Sequence, residues 1–102
     1  MNDEYRKMNE SIIEHYGIRA QTKYMMTEVY ELIEAILIYM LKGNTTLEIE
    51  KQRILHIAEE IADIYVFLDQ FCAFFGIDWE TVKRIAESKI ERQINRIKGE
   101  KQ

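Results

Sequence analysis

Four acidic side chains carry the chemistry available to this sequence. Glu28 and Glu31 lie three residues apart in Thr27-Glu28-Val29-Tyr30-Glu31-Leu32, and Glu60 and Asp63 lie three apart in Glu59-Glu60-Ile61-Ala62-Asp63. On a helix such a pair is separated by roughly 60° around the axis and about one turn along it, so both members point the same way. Like charges so placed repel. A carboxylate withdrawn from water costs several kcal/mol unless something positive compensates it. A divalent cation is one such compensation. Two acidic pairs facing each other across neighbouring helices form an oxygen-only cage, which suits Mg2+ or Mn2+ better than zinc or copper.

The elements that must position these groups are helices. Around Glu60 and Asp63, apolar residues fall at Ile54, Ile57, Ile61, Ile64, Leu68, Phe71 and Phe75, alternating steps of three and four as a packed bundle requires. After Glu28 and Glu31 the run from Ala35 to Leu41 has no polar side-chain group except the Tyr39 hydroxyl. With 102 residues, no proline, four glycines, 47% apolar and 31% charged residues, the chain is expected to form a single all-α domain over residues 1–102. A first helix is predicted over residues 3–16, capped by Asn2 or Asp3 and ended by Gly17; its apolar stripe is Tyr5, Met8, Ile12, Ile13 and Tyr16. A second should run from Ile18 or Arg19 to Leu41 or Lys42, with Lys42 at its negative end and Gly43 as the stop. Thr45 and Glu48 fit a capping box, which predicts a third helix from near Thr46 to about Phe75, closed by Gly76. Asp78 then caps a fourth, from Trp79 to about Lys98.

Short connections make an antiparallel four-helix bundle the expected architecture. The second and third helices are apolar over more than one face, with Leu37, Ile38, Met40 and Leu41 on one and Val66, Phe67, Phe74 and Phe75 on the other. A short chain with that much oil is expected to complete its core by forming a homodimer or homotetramer.

Charge is segregated along the chain. From Lys83 onward there are seven basic and three acidic residues, a surplus of four, against a deficit of eight over residues 1–82, within a total of −4. An acidic metal cluster beside a basic helix is what a metal-bound polyphosphate needs. Lys89, Arg92 and Arg96 share one face of that helix. The acidic balance and the lack of a wide basic surface argue against nucleic acid as a partner. The longest uncharged run is far too short to span a bilayer and the first residues lack a signal peptide's apolar core, so no membrane association is expected. A lone cysteine, Cys72, offers no internal disulfide, and a reducing cytoplasmic location follows as the expectation.

Glu28-x-x-Glu31 followed at a distance by Glu60-x-x-Asp63 resembles the magnesium signature of the all-alpha MazG-type nucleoside triphosphate pyrophosphohydrolases. The likeness extends through Glu31-Leu32-Ile33-Glu34-Ala35-Ile36, Glu59-Glu60-Ile61-Ala62-Asp63-Ile64 and Lys89-Ile90-Glu91-Arg92-Gln93-Ile94-Asn95-Arg96, in family order, over about residues 15–98. Ala62 stands where many members have glycine, a small residue in either case. The resemblance implies an oligomeric four-helix fold that cleaves a nucleoside or deoxynucleoside triphosphate between the α- and β-phosphates. The products would be a nucleoside monophosphate and pyrophosphate. It implies Glu28, Glu31, Glu60 and Asp63 as Mg2+ ligands, with Glu34 and Glu59 as candidates for a second ion or for holding the attacking water. It also implies phosphate contacts from Lys89 and Arg92, with Asn95 or Arg96 as extras. Arginine suits a fork of two phosphate oxygens, and lysine acts as a point charge.

Other residues invite weaker readings. His15 and His56 lack the Glu-x-x-His spacing of di-iron bundles, because Ile12 and Arg53 precede them by three, and they are expected to be ordinary surface histidines. Tyr24, Tyr30, Tyr65, Phe67 and Trp79 are expected in the core or an interface, with one or two free to stack on a nucleobase. A non-catalytic helical interaction protein on the same scaffold is the alternative function.

Overall fold

The computed structural model describes residues 1–41, 43 and 46–100. Among them the chain forms four helices and no strand: α1 (Asp3–Tyr16), α2 (Ile18–Leu41), α3 (Leu47–Phe75) and α4 (Trp79–Glu100). Local signals set the boundaries. The Asn2 side chain accepts from the Tyr5 N–H and opens α1. Gly17, at φ 89°, ends it by donating its N–H to the Ile13 carbonyl, and the Gly17 carbonyl takes the Gln21 N–H to begin α2. The expected Thr45 cap and the Lys42 charge lie outside the described residues. The cap of α3 is Thr46, one position later, whose hydroxyl accepts from the Ile49 N–H at 3.2 Å. At the other end Gly76 adopts the left-handed conformation, and the Ile77 N–H returns to the Cys72 carbonyl at 2.8 Å. Asp78 accepts from the Glu80 N–H and starts α4, as expected.

α2 and α3 pack antiparallel, and their pairings show the register. Gln21 meets Gln70, the Tyr24 and Phe67 rings lie 5.4 Å apart, and Tyr39 donates to Glu50 at 3.2 Å. α1 lies against the C-terminal half of α3. There Arg6 grips Asp69 through Nε and Nη2, both at 3.0 Å, and Asn9 donates to the other carboxylate oxygen at 2.7 Å.

The inner seam of these three helices is more polar than the spacing of the apolar residues predicts. Its buried residues are Ile13, Ala35, Phe67 and Cys72 together with Asn9, Gln21, Glu60, Asp69 and Gln70. Of the stripe expected to face the core on α3, only Ile57, Ile64 and Phe71 are half-buried, while Ile54, Ile61, Leu68 and Phe75 are exposed. The reason is that α2 docks on the side of α3 marked by Glu60, Phe67 and Gln70, about a third of a turn from that stripe.

α4 departs from the expected bundle. None of its residues is buried, and it meets the body at its start, where Trp79 packs edge-on against Tyr65 at 5.6 Å between ring centroids. Its apolar stripe of Ile85, Ile90, Ile94 and Ile97 faces solvent. The Cα radius of gyration is 17.4 Å, against about 13 Å for a compact domain of this length. A single chain therefore does not close the four-helix bundle.

Candidate metal centre

Glu28 comes from α2 and Glu60 and Asp63 from α3, and one carboxylate oxygen from each lies within 4.8 Å of the others. The three-residue spacing turns Glu60 and Asp63 to one side of α3, and the antiparallel register brings Glu28 opposite them. A hard divalent ion sits about 2.0 to 2.6 Å from its oxygen ligands, so oxygens sharing one ion are at most about 5 Å apart. The trio falls within that bound, and Mg2+, at about 2.0 to 2.1 Å from each oxygen, needs a separation of about 4.2 Å or less.

Burial adds a second observation. Glu60 is 7% exposed, and its Oε2 is buried with no hydrogen-bond partner among the described residues. An orphaned carboxylate oxygen carries a desolvation cost that a cation would relieve. Asp63 is exposed and Glu28 half-buried, which leaves an open side for a substrate and water. Glu28 registers the crowding: its carboxyl is pushed up to about 7, first by loss of hydration, then by the charge of Glu31, a hydrogen bond with the Glu60 carboxyl, and the charges of Asp63 and Glu60. The chemistry of the donor set and the orphaned oxygen both fit Mg2+.

The other expected groups are placed less closely. Glu31 acts on Glu28 by its charge but is not one of the three converging oxygens. Glu34 is exposed on α2. Glu59 is also exposed, with Oε2 at 3.9 Å from Nδ1 of His56. Lys89, Arg92, Asn95 and Arg96 are all exposed on α4, and none of them is among the groups that perturb Glu28. His56 is less ordinary than its spacing implied. Its Nε2 lies 3.8 Å from Glu60 Oε1, one turn along α3, placing an imidazole at the edge of the trio. His15 packs edge-on to Tyr16 at 4.7 Å and is not one of the converging groups.

A cavity of about 490 Å³ opens beside the carboxylates and shares Glu28 and Asp63 with them. Tyr16, Tyr24, Phe67, Gln21 and Gln70 contribute to its walls. Of these, Tyr24 and Phe67 belong to the five aromatic residues expected in the core or an interface with one or two free for a nucleobase, and the two glutamines were not expected here. Their signal was present: Asp69-Gln70 interrupts the apolar run of α3, and a polar pair there needs partners inside the fold. Comparison of the chain with family models, with characterised proteins and with solved structures finds no match.

Proposed function

We propose that this chain is a Mg2+-dependent nucleotide pyrophosphohydrolase of MazG-like type, splitting a nucleoside or deoxynucleoside triphosphate into monophosphate and pyrophosphate. The observation that carries the reading is the convergence of Glu28, Glu60 and Asp63, with one Glu60 oxygen buried and unpartnered among the described residues, beside a cavity large enough for a nucleoside. When bound, the ion would neutralise phosphate charge and make water a better nucleophile. Glu28, Glu60 and Asp63 would hold it, with Mn2+ as a substitute. Glu31 and Glu59 stand within a turn of those residues and Glu34 within a turn of Glu31, as groups for a second ion or for orienting the attacking water. A side chain that takes a proton from water works best with a pKa near the working pH, and the crowded carboxyl of Glu28, pushed up to about 7, lies in that range.

The active form in this reading is a homo-oligomer. A protomer whose seam is largely polar and whose Ile33, Leu37, Ile61, Leu68 and α4 isoleucines are exposed has more oil outside than inside. Packing copies together would cover those faces and bring α4 against helices it does not line within its own chain. Lys89, Arg92, Asn95 and Arg96 are proposed to meet the substrate phosphates in that assembly. The exposed apolar faces also favour the second reading, a non-catalytic helical interaction protein.

One assay separates the two. Purified protein incubated with a panel of ribo- and deoxyribonucleoside triphosphates and Mg2+ should release pyrophosphate, and Asp63→Asn should cut that release by roughly 100-fold or more while helicity is kept. Wild-type protein that leaves every triphosphate intact, or an Asp63→Asn variant as active as wild type, would overturn the hydrolase reading.

A further inference from the structure

The cavity beside the carboxylates is bounded by a chain of hydrogen bonds whose direction is fixed at one end. Asp69 is 2% exposed, and Arg6 holds its Oδ1 from Nε and Nη2. A carboxylate so paired can only accept. Asn9 therefore turns its Nδ2 to Asp69 Oδ2 at 2.7 Å and presents Oδ1 to its other neighbour. Gln70 must then donate Nε2 to that oxygen, at 3.2 Å, which leaves its own Oε1 facing Gln21. Gln21 in turn donates Nε2 to Gln70 Oε1 at 2.8 Å. An amide is ordinarily free to exchange its oxygen and nitrogen by a flip. Here a flip at any of the three amides sets oxygen against oxygen or NH2 against NH2. Asn9, Gln21 and Gln70 are all buried, which makes such a mismatch costly.

The last atom of this relay is Gln21 Oε1, which takes no hydrogen bond from the described residues. Gln21 lines the cavity together with Gln70 and Phe67, and the exposed rings of Tyr16 and Tyr24 flank them. We propose that the cavity is a nucleobase site in which Gln21 is the specificity-determining residue, presenting a fixed acceptor that selects cytosine and adenine, with an amine at C4 or C6, over bases with an oxo group at that position. The inference rests on the nucleotide reading above for the presence of a phosphate chain at Glu28 and Asp63. The amine of such a base donates to Gln21 Oε1; an oxo group in the same place meets it oxygen to oxygen. Tyr24, tilted 38° to Phe67 with most of its surface open, supplies an apolar face for the ring. Asp69 acts at a distance as a positioning residue, setting the polarity of an atom it does not touch.

Free nucleosides test this without metal or turnover. Cytidine, adenosine, uridine and inosine are titrated into full-length protein in chelator, and binding is read from the NMR shifts of the glutamine amide and tyrosine ring signals. Cytidine and adenosine should bind roughly tenfold more tightly than uridine and inosine, because these two set an oxo group where the amine would donate, and their ring N–H, one atom further along the edge, reaches Gln21 Oε1 only if the base shifts out of that pose. Gln21→Leu should erase that ratio. Asp69→Asn should reduce it, since an asparagine there can accept or donate and frees the relay to reverse; Gln21→Leu leaves the Arg6 anchor intact and stands as the test if Asp69→Asn does not fold. Equal affinity for all four nucleosides, binding of none, or an unchanged ratio in Gln21→Leu would overturn the proposal. Because no hydrolysis is measured, a protein that shows the base ratio and never releases pyrophosphate would sink the hydrolase reading and leave the base site standing. A protein that releases pyrophosphate with no base ratio would do the reverse.

Discussion

The seam between α1, α2 and α3 and the free length of α4 put their residues to opposite uses. In the seam, buried polar side chains other than Glu60 are matched: Asp69 against Arg6 and Asn9, Gln70 against Asn9 and Gln21. On α4, isoleucines that repeat at helical spacing lie exposed, and no residue of the helix is buried. Buried polar networks specify one arrangement and penalise alternatives, whereas apolar area supplies most of the free energy of association. The seam thus fixes where the carboxylates stand, and the outer faces hold the material for joining copies.

The largest effect that would test this contrast is in the seam. Arg6→Ala strips the buried Asp69 carboxylate of its cation and should lower unfolding free energy by about 3 kcal/mol or more, read from denaturant titration. Ile13→Ala, in one of the few apolar positions fully buried there, should cost about 2 to 4 kcal/mol by the same measurement. On α4 the outcome should differ in kind. Ile90→Asp with Ile94→Asp should leave the helical content of the chain nearly unchanged but shift sedimentation from an assembly toward single chains. Wild-type protein that sediments as one chain would remove the proposed role of α4.

The smallest effect is electrostatic. Glu28 has a folded-state carboxyl pushed up to about 7 from an ordinary value of 4.5. An acid raised on folding contributes stability that is complete below its unfolded pKa and is lost as pH rises through the folded one. Metal-free protein should therefore lose Tm between about pH 5 and pH 8 on this account. Because a bound cation must displace that proton, Mg2+ should raise Tm more at pH 8 than at pH 6. A Mg2+ increment independent of pH over that range would show that Glu28 is not in contact with the ion.

The helix ends were legible because each is encoded within a few residues. Asn2, Gly17, Gly76 and Asp78 act through hydrogen bonds or backbone angles that need no tertiary partner. The convergence of Glu60 and Asp63 was legible for the same reason, since three-residue spacing alone aligns them. What spacing could not convey was the side of α3 that α2 would choose. The regular stripe through Ile54, Ile61, Leu68 and Phe75 drew the core to itself, and the fold instead buried Glu60, Asp69 and Gln70. That choice rests on pairings among Arg6, Asn9, Gln21, Asp69 and Gln70, up to 63 positions apart in sequence, as for Arg6 and Asp69. The same distance hid the cavity. Glu31 marks the limit from the other direction: its spacing grouped it with Glu28, while the geometry keeps it outside the converging oxygens.

The claim that Glu28, Glu60 and Asp63 form a divalent-cation site is tested most directly by titrating Mn2+ into the protein and its Glu60→Gln variant, with bound ion followed by electron paramagnetic resonance. Wild type should show one saturable class of site that Mg2+ competes away, and Glu60→Gln should weaken it by roughly 10- to 100-fold. Equal Mn2+ affinity in the two proteins, or no saturable binding in wild type, would contradict it.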